Sequence, residues 1–217
     1  MKLNNMTLLI FFVFAHFLSS VVFAEEPYFP EGVFDKEDKE SNDFTAKWYS
    51  EQLRAMGEPS LLKLSREDRP ITAYRLLWLP SFHPAISVRL VKSGDLIMLH
   101  LVKLDGTGGG EPGKISTKKS KKLTEDEWTW LLIYLEKSRY WKISTSPKED
   151  LITGIVEDGD QLICEGSDGG KYHIVDRSNP DPGYEKLCRY MLDLSGLDVK
   201  ETWEEYHGED ISEKPIE

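Results

Sequence analysis

Metal-binding side chains are scarce in this chain. It has two cysteines and five histidines, with no H-x-x-x-H, and beyond the first two dozen residues only Cys164 lies within ten positions of a histidine, His173. That pattern argues against a structural zinc site, which needs closely spaced pairs of ligands, and nothing in the sequence calls for a metal or cofactor. The signatures of nucleophilic catalysis are also missing, since there is no G-x-S-x-G elbow and no local Cys-His arrangement. Cations are the minority charge: 27 Lys and Arg stand against 38 Asp and Glu, a formal net charge of −11. A nucleic acid is therefore a poor partner, because binding it requires cations to displace counterions. No apolar run reaches the roughly 20 residues of a membrane span.

The longest apolar run, Leu8 to Phe17, lies between a start carrying one cation, Lys2, and the sequence Val22-Phe23-Ala24 before Glu25. A short cationic start, a short apolar stretch and modest side chains before a cut describe a cleaved secretory signal over residues 1–24. The expected mature protein begins near Glu25 and is soluble in the periplasm or outside the cell, and its length fits one domain of about 100 to 200 residues. Acid gathers at the ends. Eight carboxylates lie between Glu25 and Asp43 and seven between Glu201 and Glu217, so 25–43 and 201–217 read as flexible acidic tails around a domain at 44–200. The alternative for the first tail is that Tyr28, Phe29 and Phe34 fold back onto the domain.

An even cysteine count in an oxidising compartment suits a disulfide between Cys164 and Cys188, worth about 3 kcal/mol for a loop of that size. The same pattern suits two buried thiols packed as small hydrophobes, one in a strand and one on the apolar face of a helix.

Local patterns predict the order of elements. A helix capped by Asn42 or Asp43 runs to Met56 and stops at Gly57. Strands follow at Ile71–Leu79, Ala85–Lys92 and Leu96–Leu104, the last apolar on both faces and so expected at the centre of the sheet. After a glycine-rich loop, Asp105 to Gly113, comes a Lys-rich strand, Lys114 to Lys122. Thr124 and Glu127 then form a capping box ahead of a helix whose apolar stripe is Trp128, Leu131, Leu132 and Leu135. Strands at Ile152–Glu157, Gln161–Glu165 and Lys171–Asp176 precede a last helix, Pro182 to Leu194, ended by Gly196. The fold class is α+β: a mainly antiparallel sheet with about three helices on one face.

Three segments stand out as candidate binding elements. Gly108 to Lys114 fits the start of a phosphate-cradling loop, but Ile115 replaces the hydroxyl that would bind magnesium, and no helical face follows, so the match is set aside. What remains is a mobile loop offering Gly108, Gly109, Glu111 and Lys114 for binding. Lys114, Lys118, Lys119, Lys121 and Lys122 put five cations into nine residues. They suit an anionic partner, and equally the protection of an edge strand against aggregation. Phe82 and His83 sit in a turn constrained by Pro80 and Pro84. Ser81 to Pro84, Asp105 to Lys114 and Tyr172 to Arg177 with Pro180 together resemble a loose group of uncharacterised exported bacterial proteins, a resemblance that implies export and no activity. The function expected is non-catalytic binding of a protein or anionic envelope component. The alternative is a hydrolase or other enzyme whose site joins His100 or His173 to a distant hydroxyl and carboxylate.

Overall fold

A computed structural model describes residues 26–69, 71–146 and 159–208. The segment expected to be a secretory signal, the strand expected at Ile152–Glu157 and the end of the expected C-terminal tail lie outside the described residues.

The chain is α+β. Its elements run α1 (Lys39–Met56), α2 (Leu61–Leu64), β1 (Ile71–Pro80), β2 (Ile86–Ser93), β3 (Leu96–Leu104), β4 (Ile115–Lys122), α3 (Glu125–Lys137), β5 (Asp160–Asp168), β6 (Lys171–Arg177), α4 (Pro182–Ser195) and α5 (Lys200–His207). The six strands make one sheet in the order β4-β3-β2-β1-β5-β6, with every neighbouring pair antiparallel. β4 is an edge strand, where lysines are tolerated because they discourage pairing with another chain. β1 lies inside the sheet and is buried from Ala73 to Pro80. β3, expected at the centre, lies one strand in from the β4 edge, so its Leu96 is exposed and its Met98 and His100 are half-buried.

Helices cover both faces, not one. Alternate residues of the strands divide into two cores. Leu76, Trp78, Leu99, Leu101, Leu162 and Val175 pack with Trp128, Leu131, Leu187 and Met191 of α3 and α4. Leu77, Leu79, Val102, Ile163 and Ile174 pack with Tyr49, Leu53 and Met56 of α1. Successive strand side chains point to opposite faces, so α1 lies across the sheet from α3 and α4. Cys164 and Cys188 are buried and unbonded in the α3–α4 core. Burial pushes both thiols well up in pKa.

Both ends of the domain reach further than the acid pattern suggested. Phe29 and Phe34 are buried against Tyr49, the Phe34–Tyr49 ring centroids being 5.3 Å apart, and the Tyr28 hydroxyl donates to the Glu58 carbonyl at 2.8 Å. Helix α1 begins at Lys39, capped by the Asp38 carboxylate, which accepts from the Glu40 and Ser41 amides. Asn42 is not the cap. Its side chain is buried and accepts from the Phe34 amide at 3.2 Å, holding the leading segment down. At the other end, residues 200–207 form α5, seated by a buried Trp203 whose ring lies 5.6 Å from that of Trp78.

Candidate functional site

The turn after β1 and the glycine loop after β3 meet at one end of the sheet. The loop is a closed hairpin end: the Asp105 amide donates to Lys114 O at 2.9 Å, Gly106 to Pro112 O at 3.2 Å and Thr107 to Glu111 O at 3.1 Å. Gly108 is its anchor. Its amide donates to the His83 carbonyl at 2.9 Å, and its carbonyl accepts the Trp48 indole N–H at 2.9 Å. The Gln52 side-chain amide, buried on α1, donates to Gly110 O at 3.0 Å. A Cβ on Gly108 would lie 2.5 Å from the Leu79 carbonyl carbon, and one on Gly109 would lie 2.9 Å from Ser81 O. Only glycine allows this backbone contact, and the mobile loop expected from composition is instead fastened on three sides.

Phe82, His83, Gly108 and Gly109 thus form one platform. Phe82 is 62% exposed, and the neighbouring His83 Nε2 lies 2.8 Å from Glu205 Oε2 of α5. Glu111 and Lys114 are exposed on the rim of the hairpin, where the Lys114 amide donates to the Asp105 carboxylate at 2.6 Å. The lysines of β4 do not form a single patch. Lys118 lies opposite Val102 on the α1 face, whereas Lys119 lies opposite Leu101 on the α3 face. Of the five, Lys121 pairs with a described carboxylate, Glu127, at 3.7 Å.

The histidines proposed for catalysis find other settings. His100 Nδ1 lies 2.8 Å from Ser120 Oγ, and its pKa is held down by partial burial and then by the nearby Arg89 cation. The closest carboxylate, Glu58, is already bound by Arg89 Nε at 2.7 Å and by Arg75 Nη1 at 3.3 Å, so it does not orient the imidazole. His173 packs against Tyr140 and Trp141, with ring centroids at 5.1 and 6.0 Å, far from any described nucleophile–base pair. The Arg177 guanidinium donates to Thr145 O and Ser144 O, while Asp176 accepts the Tyr49 hydroxyl at 2.8 Å. The His207–Asp160 pair, at 3.0 Å, is buried beside Trp203 and also receives the Trp78 indole N–H, a structural role for α5 that acidic composition concealed.

Two open surface clefts are lined by Asp95, Ile97, Lys122 and Thr124, and by Ser65 to Arg69 with Gly169 and Gly170; neither holds a histidine or cysteine. Among the described residues no group of three or more His, Cys, Asp or Glu is arranged to hold a metal ion, and no helix is long and apolar enough to cross a membrane. The chain matches no protein-family model and no curated protein sequence.

Proposed function

We propose that the mature chain, from about Glu25, is an exported soluble binding domain without catalysis of its own, and that its partner is a protein or an anionic component of the cell envelope. The leader sequence supports the address. The observation that carries the binding role is the fastened Gly108 hairpin beside the 62% exposed Phe82: a rigid scaffold presents an aromatic contact that needs little ordering when a partner arrives. The lysines of β4, of which Lys121 alone has an ion pair among the described residues, add attraction for negative surfaces. The hydrolase alternative has the His100–Ser120 pair in its favour and lacks a carboxylate to orient it.

The test is capture from the envelope and culture fluid by the native mature protein, compared with Phe82→Ser and with Lys118, Lys119, Lys121 and Lys122 all changed to Gln. Both variants are expected to lose the captured species without a change in melting temperature, and high salt is expected to mimic the fourfold variant. Unchanged capture together with rising light scattering from the fourfold variant would leave edge protection as the sole role of the lysines.

A further inference from the structure

One row of polar side chains crosses five strands on the α1 face. Glu165 of β5 lies opposite Arg75 of β1, Arg75 opposite Arg89 of β2, Arg89 opposite His100 of β3, and His100 opposite Ser120 of β4. Directly opposed residues of antiparallel strands share a face, with Cβ atoms about 4.5 to 5.5 Å apart, so the row is continuous. Its burial falls steadily. Arg75 and Glu165 are sealed, the Arg89 side chain is 16% exposed, His100 is half-buried and Ser120 is open.

The sealed end fixes the open end. Arg75 donates to Glu165, to Glu58 and to the Pro59 carbonyl. Glu58, held there, accepts Arg89 Nε at 2.7 Å, which orients the guanidinium through one edge. The two Nη groups of Arg89 make no hydrogen bond among the described residues. His100 next to it uses Nδ1 toward Ser120, leaving Nε2 likewise unused. Lys118, diagonal to His100 on the same face, brings its ammonium within 3.9 Å of where a Gly57 Cβ would lie, beside Glu58. At the end of α1, Leu53 O and Arg54 O accept the Glu58 and Gly57 amides, which fixes the turn that carries Glu58. Three cations, Arg75, Arg89 and Lys118, face two carboxylates, Glu58 and Glu165: Glu58 Oε2 accepts from both arginines, and Glu165 accepts from Arg75 and from the Tyr172 hydroxyl. The surplus is positive, and the free donors stand on neighbouring positions of three adjacent strands.

We propose that Arg89, His100 and Lys118, with Ser120 fixing the imidazole, form a binding site for a tetrahedral oxyanion, the phosphoryl or sulfuryl group of a ligand. An Arg fork, a point-charge ammonium and an imidazole donor approach from different directions, which suits a tetrahedral group. The site deepens the binding reading above and shares Lys118 with it. Anion binding is measured without any partner, so either reading can fail alone.

The mature protein is titrated with inorganic phosphate and with sulfate while the His100 ring is followed by NMR. A saturable shift of His100 is expected. Arg89→Gln and Lys118→Gln should each weaken it by about tenfold, the loss of one charge-assisted contact. Lys137→Gln, exposed on α3 across the sheet, should leave it unchanged, and Lys119→Gln, on the opposite face of β4, should weaken it less than Lys118→Gln does. Lys118 is exposed, so its variant folds whatever becomes of Arg89→Gln. Vesicles with and without phosphatidylglycerol, and a sulfated glycan against its desulfated form, then distinguish lipid, glycan and free-ion sources. An unmoved His100 at millimolar phosphate, or equal weakening by Lys118→Gln and Lys119→Gln, would overturn the site and leave only a diffuse field along β4.

Discussion

Arg75 and Glu165 form an ion pair sealed inside the sheet: Arg75 Nε donates to Glu165 Oε2 at 2.9 Å, and neither side chain is more than 1% exposed. Burying two charges costs several kcal/mol per ion before their attraction is counted, so the pair is weak evidence for stability and strong evidence for dependence of each partner on the other. Its arrangement is what holds Glu58 in place for Arg89.

Glu165→Gln is therefore expected to lower unfolding free energy by about 3 to 5 kcal/mol, since Arg75 keeps its charge in a site that no longer balances it. The double change Arg75→Met with Glu165→Leu should cost less than Glu165→Gln alone, because apolar replacement removes both desolvation penalties. Urea denaturation of the three proteins decides the point. A single-mutant loss below about 1 kcal/mol would mean that water reaches the pair.

Gly108→Ala is expected to lower stability by about 1 to 3 kcal/mol, the usual penalty for forcing extra volume into a packed contact. The obstruction is backbone, 2.5 Å to the Leu79 carbonyl carbon and 2.6 Å to Pro80 O, so no side chain can swing aside. The hairpin must lift, breaking the Gly108-to-His83 bond, and faster hydrogen exchange at the residue 108 amide would record it. Gly94→Ala is the contrasting case: its Cβ meets nothing within 4 Å, and its penalty should come from its φ of +58° alone, without any change in exchange at residue 108.

Trp128→Ala should cost about 3 to 5 kcal/mol, as large aromatic deletions from cores do. The ring is 4% exposed and lies 6.0 Å from that of Tyr74, so its loss opens a cavity between α3 and β1. Thermal melts measure it, and a change under about 1 kcal/mol would place the ring at the surface.

The parts of this fold that were legible in the sequence are those written in local chemistry. Thr124 and Glu127 make the capping box their spacing predicts, Gly196 takes the left-handed cap with φ of 67°, and the lysine run does form an edge strand. What stayed hidden depends on residues far apart in the chain. The Arg75–Glu165 pair is one case, because nothing local marks a charge whose partner is 90 positions away. The seat of Gly108 on Leu79 and Pro80 is likewise invisible to spacing rules. At the N-terminal end the alternative reading, in which Phe29 and Phe34 fold back, is the one found; at the other end abundant carboxylates concealed Trp203, whose burial outweighs the solvation of its neighbours. The meeting of the two candidate loops at one end of the sheet, and the division of the lysines between two faces, depend on the strand order, which no local pattern carries.

The last prediction concerns His173 and acid. Its Nε2 is buried without a hydrogen-bond partner among the described residues, and the ring lies between Tyr140 and Trp141. Burial holds its folded-state pKa below the ordinary 6.5. As pH falls through 6.5 the unfolded chain takes up this proton first, so the unfolded state binds more protons and stability must decline. The contribution is complete above 6.5 and is lost progressively below it, until the folded imidazole also protonates. His173→Phe keeps an aromatic ring in the pocket and removes the titration. It should melt at or above the temperature of the parent protein at pH 7, where a buried unsatisfied nitrogen has been replaced by carbon, and should show a shallower fall in melting temperature between pH 7 and 5. His100 is held down as well, so the curve is compared with that of His100→Asn, and the two losses of slope should add because the residues lie in separate clusters. An unchanged slope in His173→Phe would show that the pocket admits the charged ring at no cost.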